Sequence, residues 1–254
     1  MRVHQHAGGR PSAFALTVMI TLPFAALACR SGESTARPSS AVTSAPVASA
    51  DAAPRRYTVM PLGDSITDGY ATPGGYRIEL ARAAAAAGLL IDFVGSQSNG
   101  PPSLADRDHE GHNGWRIDQL DARATQWVSE TRPDVVLLLI GTNDVYQDYD
   151  LAHALDRLSA LIDHVLAAAP GVRVVVSSLP PLASAAMEAR VVALDRGIPT
   201  MVLAKEAEGR RVSFVDLHAA LGLDDLADGV HPNADGYAKM ARAWLPALRA
   251  SVAQ

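Results

Sequence analysis

The chain predicts a single α/β domain of three layers, α/β/α, around a parallel sheet of five strands. Three observations carry that expectation. From Tyr57 onward, short apolar runs of β character alternate with stretches of helical periodicity. One of those runs, Val135-Val136-Leu137-Leu138-Leu139-Ile140, is apolar without interruption, as a strand covered on both faces must be. The 254 residues are 48% hydrophobic and 19% charged, enough for one sizeable core. Right-handed crossovers between successive strands then keep the sheet parallel.

The elements follow in order. A first strand covers about 57–62. A helix spans about 76–87, with Ile78, Leu80 and a run of alanines, and Gly88 ends it. Leu90-Ile91-Asp92-Phe93-Val94 is the second strand, stopped by Gly95. A long polar loop is expected from there to about 114. The next helix, about 117–130, has Ile117, Leu120 and Val128 on its apolar side. Pro133 introduces the buried third strand, about 134–140, and a helix follows over about 151–168. The fourth strand is about 172–177. A helical stretch over about 184–208 is broken at Gly197 and Pro199. The fifth strand is about 211–216, and the last helix covers about 234–250.

The domain is expected over 57–254, and the residues before it belong to other classes of sequence. Arg2 and Arg10 flank an apolar run without charge, 11–28, that ends in Ala26-Leu27-Ala28-Cys29. This is the layout of a signal peptide, 1–28. A retained membrane anchor is the competing reading; Pro23 and the small residues before Cys29 favour cleavage. Cys29 is the only cysteine. It stands where a bacterial lipoprotein signal would place its lipidated residue, but Ala26-Leu27-Ala28 also suits ordinary A-x-A cleavage, and both routes stay open. Residues 29–56 are rich in Ser, Ala, Pro and Thr and offer little apolar surface to offset the entropy of ordering, so a flexible tether is expected.

Several function classes lose support. The net charge is −5 and no Lys/Arg block stands out, so no nucleic-acid partner is expected. One cysteine excludes an intrachain disulfide framework. There is no G-x-G-x-x-G and no G-x-x-x-x-G-K-[ST], and G-x-S-x-G is absent too. The loop residues Asp106, Asp108, His109, Glu110 and His112 match no ligand spacing, so neither a metal nor another cofactor is expected.

Four blocks instead fall at strand ends or in the loops beyond them: Gly63-Asp64-Ser65, Gly111-His112-Asn113-Gly114-Trp115, Gly141-Thr142-Asn143-Asp144 and Asp228-Gly229-Val230-His231-Pro232-Asn233. An α/β sheet brings such loops to one edge. Their chemistry is complementary. Ser65 supplies a hydroxyl that a base can activate. Asp228 and His231, three apart, allow a carboxylate to hold one imidazole nitrogen and leave the other for Ser65. Backbone N–H groups of Ser65 and Gly114, with the Asn143 side-chain amide, are three candidate donors for a developing oxyanion. Trp115 and Tyr146 flank those donors and are candidates to stack on a sugar or, equally, to pack the loops. Asp64 is expected to bond the loop backbone rather than to do acid–base work.

The succession Gly-Asp-Ser, Gly, Gly-x-Asn-Asp and Asp-x-x-His resembles the SGNH (GDSL-type) hydrolase superfamily. The resemblance implies a flavodoxin-like sheet, with Ser65, Gly114, Asn143 and His231 as the name-giving residues, Asp228 as the triad acid, and ester hydrolysis without a metal. The runs Met60 to Ser65, Val94 to Gln97, His109 to Asp118 and Gly229 to Asn233 are similar to carbohydrate esterase family 3, the secreted acetylxylan esterases, over roughly 57–245. Asn113 stands where that family often has serine. The resemblance implies a serine esterase acting on O-acetyl groups of xylan or a related polysaccharide; the leader and Cys29 add the expectation that it is secreted or lipid-anchored, and a monomer is expected. Two alternatives stay open: a lipid esterase or thioesterase of the same superfamily, or a non-catalytic module that binds carbohydrate or the cell envelope.

Overall fold

The computed structural model describes residues 55–253. The proposed leader, Cys29 and the tether as far as residue 54 lie outside the described residues. Strand β1 (Arg56–Gly63) runs through the middle of the sheet and loses exposure along its length, until its last five residues are buried. Helix α1 (Ser65–Asp68) follows it at once, and α2 (Tyr76–Ala86) leads to β2 (Leu90–Phe93). Beyond the central α3 (Ile117–Thr131) and β5 (Val135–Leu139), a short α4 (Thr142–Tyr146) precedes α5 (Ala154–Ala168). The chain closes through β6 (Arg173–Ser177), α6 (Ala185–Asp195), α7 (Ile198–Ala207), β7 (Val212–Val215) and α8 (Ala234–Val252).

The five expected strands lie parallel, in the order β2-β1-β5-β6-β7. All five residues of β5 are buried. Side chains alternate in direction along a strand, so β5 is covered on both faces and the domain has three layers. Helices α2 and α8 pack together, as do α3 and α5, and both groups meet the sheet.

The strand count differs from the expectation. The segment read as a polar loop holds two further short strands, β3 (Gln97–Ser98) and β4 (Asp108–Gly111), which make the sheet seven-stranded. They pair antiparallel with each other. β4 also pairs with Leu62 and Gly63 of β1, on the edge whose other end β2 occupies. Asp108-His109-Glu110-Gly111 has no apolar alternation to announce a strand. It is held by side-chain bonding: Glu110, fully buried, accepts hydrogen bonds from the Ser96 amide at 2.6 Å and the Ser96 hydroxyl at 2.7 Å. Burying a carboxylate costs little only when it is bonded in this way.

Candidate active site

Ser65 is the first residue of α1. Asp64 caps that helix, its Oδ1 accepting from the Ile66 amide at 3.0 Å. The strand-to-helix turn is tight because Gly63 has no side chain. A Cβ there would stand 2.1 Å from the Leu139 carbonyl oxygen and 2.4 Å from Thr67 Oγ1. Asp64 is fully buried, and burial pushes its carboxyl up to about 6 against the opposing pull of the Ile66 amide and His231.

The fourth block reaches Ser65 from the far end of the chain. Asn233 caps α8, its side chain accepting from the Gly236 amide at 3.0 Å, and this anchors the loop before it. Within the loop, Asp228 Oδ1 accepts from the amides of Val230 at 3.0 Å and His231 at 2.8 Å. Its other oxygen, Oδ2, lies 2.8 Å from His231 Nδ1, and His231 Nε2 lies 2.9 Å from Ser65 Oγ. The carboxylate makes Nδ1 the nitrogen that carries the proton and leaves Nε2 to accept from the serine. Burial works to raise the Asp228 carboxyl, but the amide and imidazole bonds outweigh it and hold it below the usual carboxylate range.

The two other blocks complete one cavity. It has a volume of about 340 Å³, and Ser65, Gly114, Asn143, Tyr146, Asp228 and His231 all line it. Ser65 N–H is the first amide of a helix and has no intrahelical acceptor. Gly114 turns at φ +78°, and its carbonyl accepts from Gln147 at the end of α4 at 3.2 Å. Asn143, in α4, donates from Nδ2 to the Trp115 carbonyl at 2.9 Å and lies 3.5 Å from Asp64 Oδ2. One amide hydrogen is thus committed to Trp115, while the second has only a contact at the limit of a hydrogen bond and is free to turn to an oxyanion. Fully buried Asp144 ties the block down: Oδ2 accepts from the Ile117 amide and Oδ1 from Arg157, each at 2.9 Å.

Trp115 is placed differently from a sugar-stacking wall. His112 stacks on Trp115 at 4.3 Å and on Trp127 at 4.6 Å, and it bonds Glu110 at 2.6 Å. Trp115 packs against the core and does not line the cavity; it serves the site through its carbonyl. Its apolar ring gains more from this burial than from standing in water at the rim. Tyr146 does line the cavity and is 56% exposed.

Asp106, His109, Glu110 and His112 are engaged elsewhere. Asp106 accepts from the amides of Phe93 and Asp108, and His109 Nδ1 accepts from Gly111 N–H at 3.1 Å. Burial, with Arg77 and His112 nearby, pushes His109 down to about 3 and keeps it neutral. Among the described residues no group of three His, Cys, Asp or Glu is placed to hold a metal ion. A larger cleft, about 880 Å³, lies along β7 and α8, but no histidine lines it and none of the four blocks reaches it. Tyr70, Asn113, Thr142 and Val230 line the active cavity without having stood out in the sequence as single functional residues. Tyr70 had one signal, a turn glycine just before it.

Comparison with known proteins places the chain among esterases. The GDSL-like lipase/acylhydrolase family matches residues 62–239. A family 3 carbohydrate esterase from Clostridium thermocellum superposes with a TM-score of 0.70 at 38% identity, covering 77% of this chain and 98% of that one. A family 3 carbohydrate esterase from Talaromyces cellulolyticus gives 0.69 at 31% identity, covering 76% and 97%. A multidomain esterase of Ruminococcus flavefaciens is 31% identical over 213 residues, 74% of this chain; the match spans only 28% of that protein's length.

Proposed function

The chain belongs to the GDSL-like lipase/acylhydrolase family and is an esterase domain of the family 3 carbohydrate type; from that premise we propose that it is a serine esterase removing O-acetyl groups from xylan or a related polysaccharide. The observation that carries the reading is the hydrogen-bonded line from Asp228 through His231 to Ser65, ending in a cavity that Gly114 and Asn143, the other candidate donors, also line. Ser65 Oγ attacks the acyl carbonyl as its proton passes to His231 Nε2. The Ser65 and Gly114 amides and Asn143 Nδ2 hold the oxyanion. His231 returns the proton to the departing sugar oxygen, and the acyl group stays on Ser65. Water, activated by His231, then releases acetate.

The size of the cavity supports a short acyl group. About 340 Å³ is at the lower end for ligand sites and suits an acetyl group with part of a sugar ring better than a long lipid chain. Tyr146 offers the sugar an exposed aromatic face. The apolar leader supports export, and Cys29 supports lipid anchoring in the envelope as one of two processing routes.

Acetate release across acetylated xylan, mannan, pectin and chitin oligomers, with Ser65→Ala as control, tests this reading. Release from one or more of these by the wild type alone is the expected outcome. Turnover confined to long-chain acyl esters assigns the site to lipids, and glycan binding without any turnover makes the domain a binding module.

A further inference from the structure

Among the described residues, five large apolar side chains are strongly exposed, and two of them, Tyr70 and Tyr146, line the active cavity. Tyr70 is 63% exposed, yet its place is closely determined. α1 ends at Gly69 in the left-handed conformation, φ +86°. The chain then doubles back, and the Tyr70 amide donates to the carbonyl of Ser65 at 3.0 Å. The ring comes to rest against the imidazole of His231, centroids 4.9 Å apart and planes tilted by 40°. A single exposed ring is ordinary, but two that share one cavity with the catalytic groups give that cavity an aromatic rim open to a ligand.

Position decides what the ring contacts. When the ester C–O bond breaks, the leaving oxygen takes the proton that His231 Nε2 received from Ser65, so that oxygen must lie within hydrogen-bond reach of Nε2. The acyl oxygen is assigned to the Ser65, Gly114 and Asn143 donors. A ring in contact with the imidazole that protonates the leaving oxygen therefore borders the leaving group. We infer that Tyr70 is a specificity-determining residue for the alcohol part of the substrate: its exposed face stacks on the sugar ring that carries the acetyl group. This role rests on the carbohydrate reading above and names the residue that reads the sugar.

The contact uses the ring and not the hydroxyl, so Tyr70→Phe separates the two. The test compares an acetylated xylo-oligosaccharide with ethyl acetate, whose leaving group is too small to cover the ring. Tyr70→Ala is expected to raise KM for the oligosaccharide about tenfold, the size of one aromatic stacking contact. The same change should leave KM for ethyl acetate within about twofold, and Tyr70→Phe should behave as wild type on both. An equal fall of kcat on both substrates, with both KM values unchanged, would show that the ring only orients His231 and would overturn the inference. So would a Tyr70→Ala enzyme that keeps the wild-type preference for the sugar ester. If the wild type cleaves ethyl acetate but no acetylated sugar, the carbohydrate reading itself fails and this role falls with it. The wild-type control thus tells the two failures apart.

Discussion

At the scale of single residues, the decisive contacts are those along Asp228, His231 and Ser65, at 2.8 and 2.9 Å. Ser65→Ala and His231→Ala are each expected to abolish nearly all acetate release while the protein stays folded. The double variant should be little worse than either single one, because such groups act as a unit. Asp228→Asn is expected to lose on the order of 10⁴-fold in kcat by favouring the wrong imidazole tautomer. Steady-state rates with circular dichroism as a folding check decide this, and a folded Ser65→Ala enzyme with near-normal turnover would refute the mechanism. A second prediction concerns Asp195, at the end of α6. Its Oδ1 accepts from the Leu179 amide at 3.0 Å, and burial pushes the carboxyl up to about 7 despite that bond and the pull of His218. The folded state then keeps a proton that the unfolded chain releases, so this site costs stability as pH rises from the ordinary carboxylate range through about 7. Asp195→Asn keeps an oxygen for Leu179 and cannot ionise. Urea midpoints at pH 5 and 8 should differ less in the variant than in the wild type; equal differences would count against the buried carboxyl.

At the scale of elements, the site depends on how closely β1 and β5 approach below Ser65. Gly63→Ala would drive a methyl group to 2.1 Å from a backbone oxygen of β5. Backbone cannot yield as a side-chain tip can, so a loss of roughly 3 kcal/mol is expected, read from the denaturation midpoint. An alanine variant as stable as wild type would mean that the turn has more room than its geometry shows. Much of this level was legible in advance. The five expected strands and the long helices follow from local periodicity, and their ends fall within a residue or two of expectation, except that α5 starts three residues late, after a 3-10 turn at Leu151–His153. What was not legible is local in length but non-local in cause. α1 and α4 span four and five residues, too short for a periodic signal. β3 and β4 exist because Ser96 supplies bonds to Glu110 from across the hairpin.

At the scale of the whole molecule, two outcomes are expected. Esterase activity should survive exhaustive chelation, because in the segment 106–112 Asp106 and His109 bond backbone amides and His112 stacks on tryptophan. Loss of activity in EDTA, restored by one divalent ion, would contradict that. A chain starting at Arg55 should remain folded and fully active, since β1 begins at Arg56 and every proposed site residue lies beyond it. An insoluble or inactive truncated chain would show that the residues before it do more than tether. Mass spectrometry of the mature N-terminus distinguishes the two processing routes. A lipid-modified Cys29 supports anchoring, whereas an unmodified one from a host able to lipidate removes it.

By itself the sequence determined the order of the five expected strands and the long helices, the four blocks and the chemistry each block offers, because periodicity, turn glycines and caps act over a few residues. It also confined candidate nucleophile, base and donors to loops that a parallel sheet gathers at one edge. Only the tertiary structure decided which of these meet. Ser65 and His231 are 166 positions apart and touch because the loop before α8 reaches the turn that follows β1. The same packing turned Trp115 inward onto His112 and left Tyr70 outward against His231. Both are aromatic residues in polar loops, and composition cannot distinguish them. Their different fates follow from the apolar partner waiting at one position and the open cavity at the other.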